Sequence, residues 1–352
     1  MAARRRGSIR LLTLTGLAIV ACLLAGCGNA LSVSSNGSSA QSITLYSGQH
    51  PQTTDKLVAA FEKQTGITVR IRSDDEDVLA QQIVAEGSRS PADVIYTENS
   101  PALEFLQGKG LLAPVDKSTL TETPAKYNSP QGDWVGVSAR VSVLVYNPSL
   151  IKASQLPTSV MQLADAKYRG KLALAAGETD FQPIVTSVLR AHGRAATVRW
   201  LQAIKANAAG HIYPDNETIT SQVNRGAAAL GIINEYYWYR LRAEIGAASI
   251  HSKITHFAPR DPGYVIDVSG AAVLKSSTHQ AAAQRFLAFL VSKPAQEMLA
   301  KLDITFEYPL AAGVAANPVL KPMSELSPPH LTLKQIGDDR DAAKLLREAG
   351  LI

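Results

Sequence analysis

The stretch that decides the fold is residues 43–72, ITLYSGQHPQTTDKLVAAFEKQTGITVRIR. It opens with a short apolar run that ends in a glycine turn, which predicts a strand. A helical pattern follows, for which Thr53 or Thr54 is the predicted N-cap and Gly66 the predicted end. Residues 67–72 then alternate apolar and polar, as in a second strand. This strand–helix–strand order predicts a βαβ unit and a parallel sheet.

Similar units follow along the chain, and two long β-rich runs interrupt them. Residues 92–98 (ADVIYTE) predict another strand, and 134–147 and 265–275 predict long apolar strands. We therefore predict an α/β protein of two lobes joined by these strands, with ligand bound between the lobes. The predicted divisions are lobe 1 at 42–140 and 270–315, lobe 2 at 141–269, and a C-terminal helical segment at 316–352.

The N-terminus predicts export. Residues 1–10 carry four arginines, and the apolar run that follows is shorter than a membrane span and ends in small residues. Its end, LAGC, resembles a bacterial lipobox, which predicts a signal peptide at 1–26, cleaved before a lipid-bearing Cys27. Residues 27–41 are rich in Ser, Gly and Asn and predict a flexible tether. An ordinary signal peptide or a membrane anchor with a chance cysteine is the alternative.

Charge and cysteine content exclude several classes of protein. The formal charge of +5 comes from 35 basic and 30 acidic residues. Four of the basic residues lie in the predicted signal peptide, which leaves 31 and a nearly neutral mature chain. This balance gives no indication of nucleic-acid binding. The only cysteines are Cys22 and Cys27, so the mature chain is predicted to fold without a disulfide.

An acidic run at 73–77, SDDED, invites a metal-site interpretation. It lacks the glycine and the alternating spacing of a calcium loop. Ser73 and Glu76 instead have the spacing of a capping box ahead of a helical pattern, and acids suit a helix N-terminus. We therefore expect this run to cap a helix.

Polar side chains follow three of the predicted strands where each strand ends. His50 follows the first strand, Glu98 follows ADVIYT, and Asn234, Tyr236 and Tyr237 follow AALGII. Taken singly, a tyrosine pair is more often packing, such a histidine a turn residue, and such a glutamate a helix cap. Their shared placement at strand ends raises the alternative of a common site.

The blocks ITLYSGQH (43–50), EGSRSPADVIYTENSPAL (86–103), INEYYW (233–238), and RDPG with SGAAVLKSS (260–263 and 269–277) resemble the ferric-ion-binding periplasmic proteins of bacterial ABC importers. The resemblance covers residues 42–352. It implies a two-lobed type II periplasmic-binding-protein fold with hinge strands and an interlobe cleft. It also implies the iron ligands, which are His50, Glu98, Tyr236 and Tyr237.

The chemistry of this ligand set suits Fe³⁺. Phenol has a pKa near 10, so a free tyrosine is a poor ligand at neutral pH. A trivalent cation removes the phenol proton, as bound cations do generally. Two tyrosinates and one glutamate balance Fe³⁺ beside a neutral histidine. Four protein ligands leave about two positions of an octahedral ion open. Trp238 and Tyr239 are predicted to pack behind the pair.

Members of this family usually complete the site with an anion such as carbonate, phosphate or citrate. In the phosphate-binding members a Ser-Gly-Ala turn at a helix start holds it. Here the aligned stretch is GETD, Gly177 to Asp180, whose acids repel an anion that they face. The matching anion-contact candidates are Arg140, Thr179, Asn216 and Asn234. Either the anion is held differently, or none is needed and an acid or water fills the position.

The resemblance implies a lipid-anchored monomeric receptor that passes Fe³⁺ to an ABC permease and its ATPase. It places the protein in the periplasm or on the outer face of the cytoplasmic membrane. The alternatives on the same fold are receptors for another metal, an iron chelate or a small organic solute. An enzyme is disfavoured, since the chain has neither a G-x-S-x-G nor an H-E-x-x-H motif. A purely structural lipoprotein does not account for the polar strand-end residues.

Overall fold

The computed structural model describes residues 41–302 and 304–352. The predicted signal peptide and Cys27 lie outside the described residues, as does the predicted tether except for Gln41. Within the described ranges, no helix has both the length and the apolar character needed to cross a membrane.

The described residues form nine strands and twelve α-helices. The strands are β1 (Ser42–Ser47), β2 (Thr68–Ser73), β3 (Val94–Thr97), β4 (Val135–Tyr146), β5 (Leu172–Ala173), β6 (Leu230–Asn234), β7 (Lys253–Thr255), β8 (Ile266–Val273) and β9 (Tyr308–Pro309). The helices are α1 (Pro51–Thr65), α2 (Glu76–Glu86), α3 (Pro101–Gly108), α4 (Lys117–Thr121), α5 (Gln182–His192), α6 (Arg194–Asn207), α7 (Asn216–Arg225), α8 (Glu235–Ile245), α9 (Gln280–Leu290), α10 (Lys293–Lys301), α11 (Leu333–Ile336) and α12 (Arg340–Glu348).

The predicted βαβ unit is present. Strand β1 pairs in parallel with β2, and its other edge pairs in parallel with β3. Gly66 ends α1 in the left-handed conformation, with φ of 71°, as predicted. The predicted N-caps are wrong, because Pro51 already occupies the first turn and His50 is the N-cap residue. Thr54 lies inside the helix, where its hydroxyl is 2.8 Å from the Ser47 hydroxyl.

The sheet is mixed rather than wholly parallel, with the order β2-β1-β3-β8-β4-β6-β5. The long strand β4 changes partner along its length. Val135 to Val141 pair with β8, whereas Ser142 to Tyr146 pair with β6. The two predicted long strands therefore lie side by side in the middle of the sheet, and β4 joins one group of strands to the other. The predicted domain boundaries remain a prediction.

Helices cover the sheet and bury its apolar residues. Phe61 of α1 packs edge-on against Phe286 of α9, with ring centroids 5.0 Å apart, in the cluster that covers β1, β3 and β8. A larger cluster includes residues of β4, β5, β6, α5 and α6, with α12 packed against α5 and α6. All twelve residues of β4 are buried, so the strand that joins the two groups lies in the core.

Candidate metal centre

Two of the four candidate ligands come from neighbouring parallel strands. His50 follows β1 and Glu98 follows β3, and parallel strands end at the same edge of a sheet. The His50 Nε2 atom lies 2.9 Å from the Glu98 Oε1 atom. The turn between β1 and α1 and the turn between β3 and α3 therefore present an imidazole and a carboxylate to one point.

The other two candidates begin a helix. Strand β6 ends at Asn234 and α8 starts at Glu235, which puts Tyr236 and Tyr237 in the first helical turn, as the sequence predicts for a convergent pair. The Tyr236 hydroxyl donates to Glu98 Oε1 at 2.6 Å and lies 2.9 Å from His50 Nε2. The two phenol rings lie side by side, with centroids 4.0 Å apart. The structure thus brings all four candidates together.

A fifth side chain reaches this cluster. The Tyr237 hydroxyl donates to Glu178 Oε1 at 3.3 Å, and Glu178 Oε2 accepts a 2.8 Å hydrogen bond from the backbone N–H of Asn216. Asn216 is the first residue of α7, so the carboxylate lies at a helix N-terminus, where anions are stabilised. The sequence left open whether an anion is held near this turn or an acid fills its position, and it did not single out Glu178.

Three of the four anion-contact candidates surround the acidic turn. Arg140 is fully buried, and its Nη2 donates to Asn99 Oδ1 at 3.0 Å and lies 3.5 Å from Asp180 Oδ1. Asn99 Nδ2 donates to the Thr179 hydroxyl at 3.2 Å, and Asn216 Nδ2 donates to Asp180 Oδ2 at 3.0 Å. The Nε and Nη1 atoms of Arg140 have no hydrogen-bond partner among the described residues.

Asn234 lines a small pocket with Asp180 and Asn216. Its Oδ1 lies 3.5 Å from the Ser142 hydroxyl of β4, and its Nδ2 has no partner within the described part of the chain. It makes no hydrogen bond there to any of the four candidate ligands. Asn234 therefore lies beside Asp180 and Asn216, without a hydrogen bond to the four candidate ligands.

Burial and neighbouring charges lower the pKa of Glu98 and raise the pKa values of His50 and the two tyrosines. Burial alone would raise the pKa of Glu98, but His50 and Arg140 lower it to about 2. Burial would lower the pKa of His50, and the Glu98 carboxylate reverses that and raises it. Burial, followed by the nearby carboxylates, raises the pKa values of Tyr236 and Tyr237 well above their ordinary range. Without a cation, both phenols therefore keep their protons and donate hydrogen bonds.

The two acids of the turn at 177–180 have raised pKa values, whereas the pKa of Glu98 is lowered. Burial, Asp180 and Glu98 raise the pKa of Glu178 to about 10. Burial and Glu98 also raise the pKa of Asp180, although Arg140 opposes them. Without a cation, ionised Glu98 and neutral Glu178 therefore face the tyrosine pair. A bound cation favours loss of the Glu178 proton.

The two phenols form part of the candidate donor set. Across residues 41–302 and 304–352, no three or more His, Cys, Asp or Glu side chains gather in a metal-binding arrangement. In the candidate site, the Tyr236 hydroxyl instead adds an oxygen beside His50 and Glu98. A polar cavity of about 840 Å³ adjoins Tyr237, with Gln52 on one side and Glu217 and Arg240 on the other.

Trp238 and Tyr239 take no part in the cluster. The indole N–H of Trp238 donates to the backbone oxygen of Ser252 at 3.3 Å, and the Tyr239 hydroxyl donates to the Val319 oxygen at 3.0 Å. Tyr239 also stacks on Phe306. Both side chains pack α8 against neighbouring segments, as predicted.

The capping box predicted at Ser73 and Glu76 is wrong. Ser73 is the last residue of β2, and α2 begins at Glu76 with Asp75 as its N-cap residue. Glu76 is 3% exposed, and its Oε2 accepts backbone hydrogen bonds from Glu98 at 2.6 Å and Asn99 at 2.8 Å. The spacing is the same as in a capping box, but the side chain turns to the loop that carries Glu98.

Residues 47–297 match the family described as bacterial extracellular solute-binding protein. The chain is 38% identical over 312 residues to the Fe(3+)-binding periplasmic protein of Serratia marcescens, an alignment that covers 89% of this chain and 91% of the relative. It is 36% identical over 311 residues to the major ferric iron-binding protein of Neisseria meningitidis, which covers 88% and 93%.

Solved structures agree on the fold. Iron-bound HitA from Pseudomonas aeruginosa superposes with a TM-score of 0.84 at 40% identity, covering 88% of this chain and 99% of that one. A Trichodesmium protein, IdiA or FutA in complex with iron and citrate, gives 0.75 at 30% identity, with the same coverage. The mixed α/β fold is that of the periplasmic binding proteins, as the resemblance implies. The chain belongs to the family of bacterial extracellular solute-binding proteins.

Proposed function

We propose that this protein is an extracytoplasmic receptor that binds ferric iron and delivers it to an ABC permease. The observation that carries the proposal is the convergence of His50, Glu98, Tyr236 and Tyr237. The Tyr236 hydroxyl lies within 3 Å of both the His50 ring nitrogen and the Glu98 carboxylate. The relatives named for ferric iron in Serratia and Neisseria support the same cargo.

The donor set favours Fe³⁺ over softer or smaller-charge ions. Carboxylate and phenolate oxygens are hard, anionic donors, and the cluster has no sulfur. Displacing the two phenol protons gives two tyrosinates, which together with ionised Glu98 match the charge of Fe³⁺. A balanced site costs far less to bury than a net charge. The buried position of both phenols therefore suits a trivalent cation.

Glu178 is proposed to occupy the place that an external anion takes in other family members. Its carboxylate contacts the Tyr237 hydroxyl and rests on the N-terminus of α7. When ionised on a bound cation, it adds one negative charge. Arg140, which lies within 4 Å of Glu98 and Asp180, supplies an opposing positive charge. A carbonate, phosphate or citrate ion is then unnecessary for binding.

Delivery is proposed to follow a hinge motion. The ligands lie on two groups of strands that β4 joins at Val141 and Ser142. Relative rotation about this point separates His50 and Glu98 from the tyrosine pair. We further propose that the receptor is a monomer anchored by lipid on Cys27, in the periplasm or at the outer face of the cytoplasmic membrane, beside its permease and ATPase.

An iron chelate is the second candidate cargo. The polar cavity of about 840 Å³ beside Tyr237 has room for an organic ligand that stays on the ion. The Trichodesmium relative was solved with both iron and citrate. On this alternative, the protein ligands hold one side of the iron and the chelator the other.

Metal analysis and the visible spectrum of the purified protein test the proposal. We expect one iron per chain and a red-orange colour from tyrosinate-to-iron charge transfer. Tyr236→Phe and Tyr237→Phe are expected to abolish most of the band, whereas Tyr239→Phe leaves it unchanged because Tyr239 bonds to Val319. A colourless protein that binds no added iron contradicts the proposal. Organic acid found with the iron by mass spectrometry favours the chelate.

A further inference from the structure

The geometry points to Glu76 as a positioning residue that holds the His50 loop and the Glu98 loop in register for metal binding. The inference rests on the proposed function, since its effect is measured on iron. Glu76 contacts none of the predicted ligand atoms directly. It hydrogen-bonds to the backbone of the Glu98 loop and packs against the backbone of the His50 loop.

The first contact is with the loop that carries Glu98. A single oxygen of Glu76, Oε2, accepts the backbone N–H groups of both Glu98 and Asn99, at 2.6 and 2.8 Å. Two hydrogen bonds to consecutive N–H groups fix the peptide plane between them. This sets the direction in which the Glu98 side chain leaves the loop. Asn99 in turn carries the hydrogen bonds to Arg140 and Thr179.

The second contact is with the loop that carries His50. A Cβ atom placed on Gly48 would lie 2.5 Å from the Cβ of Glu76 and 2.9 Å from its Cα. The backbone of the His50 loop therefore rests directly on the first turn of α2, at the residue that clamps the Glu98 loop. This second contact is made by the Cα and Cβ atoms of residue 76, which an alanine retains, so the test below measures the contact of the carboxyl group with the Glu98 loop.

Helix capping does not explain this placement. Asp75 and Asp77 lie beside Glu76 in the sequence and are exposed, as acidic residues at a helix N-terminus usually are. Glu76 is buried instead, and burying a carboxyl group away from water is costly unless it is hydrogen-bonded. The two N–H groups of the ligand loop provide those bonds.

Removing a group that orients a metal ligand typically lowers metal affinity about 10- to 100-fold. We expect Glu76→Ala to raise the dissociation constant for Fe³⁺ by this factor and to shift or weaken the tyrosinate-to-iron band. Glu76→Gln keeps an acceptor oxygen at the same reach, so it is expected to stay within about threefold of the wild type. Glu76→Asp keeps the carboxyl group but falls short of the Glu98 loop, and it is expected to resemble alanine.

The experiment is a competition titration of Fe³⁺ against citrate, with the visible spectrum and the thermal midpoint recorded for each iron-free variant. Asp75→Ala is the matched control, since it removes a carboxyl group one residue away without touching the His50 loop or the Glu98 loop. We expect Fe³⁺ affinity to fall in the alanine and aspartate variants, to stay near the wild-type value in the glutamine variant, and to be unchanged in the control.

Equal iron affinity in Glu76→Ala and the wild type would overturn the inference. Loss of affinity in all three Glu76 variants in proportion to their thermal midpoints would also overturn it, because that marks a purely structural residue. If Glu76→Ala fails to fold, the contrast between the aspartate and glutamine variants decides. A wild-type protein that binds no iron overturns the proposed function and this inference with it.

Discussion

Glu178 belongs to the acidic turn at 177–180 and contacts the tyrosine pair. From the sequence, the acids of this turn are expected to repel an anion, and either the anion is held differently or an acid or water fills its position. The structure turns the Glu178 carboxylate toward the Tyr237 hydroxyl and the N-terminus of α7. An acid that repels an external anion can also take its place. The hydrogen bond from the Asn216 N–H to Glu178 favours the second role.

This placement predicts how iron binding depends on anions. Wild-type protein is expected to bind Fe³⁺ with similar affinity in buffers with and without carbonate. Glu178→Ala empties the position, so its affinity is expected to fall at least tenfold without an anion and to recover when carbonate is added. Iron titrations followed by the visible band measure both. Anion dependence that is equal in the two proteins would contradict the assignment.

His256 gives a prediction for stability that is independent of the metal. Burial, and then Lys321, lower its pKa to about 4 from 6.5. A base whose pKa is lowered in the fold contributes its full stability above pH 6.5, and this is lost as the pH falls from 6.5 to 4. Because the ring is only half-buried, screening by solvent limits the effect to about 1 kcal/mol.

We therefore expect His256→Gln to lose less stability than the wild type on acidification through this window. Urea unfolding of the iron-free proteins at about pH 7 and about pH 4.5 measures the difference. Unfolding free energies that fall equally in the two proteins would show that His256 does not titrate in this way.

The four candidate ligands were available from the sequence only through the resemblance to a family. Alone, His50, Glu98 and a tyrosine pair are compatible with turns, caps and packing. Glu76 and Thr54 were misread as caps for a common reason. A polar side chain near a helix start can hydrogen-bond either to the helix backbone or to a neighbouring segment. Here Glu76 bonds to the backbone of Glu98, and Thr54 bonds to Ser47.

At the level of elements, local patterns predicted most of what positions the site. The βαβ unit puts the ends of β1 and β3 on one edge, and the strand-to-helix passage at Asn234 puts both tyrosines in one helical turn. The length of β5 was less predictable, since only Leu172 and Ala173 pair in the sheet. Residues 280–301 form two helices, α9 and α10, because Pro294 starts a new one.

The packing of β6 against α7 gives a prediction at this level. A Cβ atom on Gly231 would lie 2.5 Å from Ile219 Cγ2 and 3.2 Å from the Ala173 oxygen. Gly231→Ala therefore forces α7 or β5 to shift, and such overpacking costs about 1–3 kcal/mol. Since α7 carries Asn216 and β6 leads to the tyrosines, we expect this variant to lose iron affinity as well as stability.

Gly108→Ala is the matched control. Gly108 ends α3, and nothing lies within 4 Å of an added Cβ, so the change is expected to leave thermal stability unchanged or to raise it slightly. Equal unfolding midpoints for the two alanine variants would contradict the packing argument.

At the scale of the whole molecule, the sequence predicted two long strands in the middle but not how they pair. Strand β8 lies antiparallel between β3 and β4, which joins a late segment of the chain to an early one. The paired residues of β4 and β8 are 125 or more positions apart in the chain, as Val141 and Ile266 are, so no local pattern indicates the pairing. The partner change at Val141 and Ser142 was likewise visible only in the structure.

This partner change predicts a measurable motion. In the structure, the two sides of the site touch, with the Tyr236 hydroxyl 2.6 Å from Glu98. We expect iron-free protein to sample an open form in which this contact is broken, and iron to close it. Small-angle X-ray scattering should therefore give a smaller radius of gyration with iron than without. Identical scattering curves would argue against a hinge.

The most direct measurement is an anomalous difference map, recorded at the iron absorption edge from crystals of the iron-loaded protein. It is predicted to contain a single strong peak per chain. That peak should lie at coordination distance from His50 Nε2, a Glu98 carboxylate oxygen and the hydroxyl oxygens of Tyr236 and Tyr237. A peak bonded to other residues, or a closed cleft that holds an organic solute and no metal, would contradict the account.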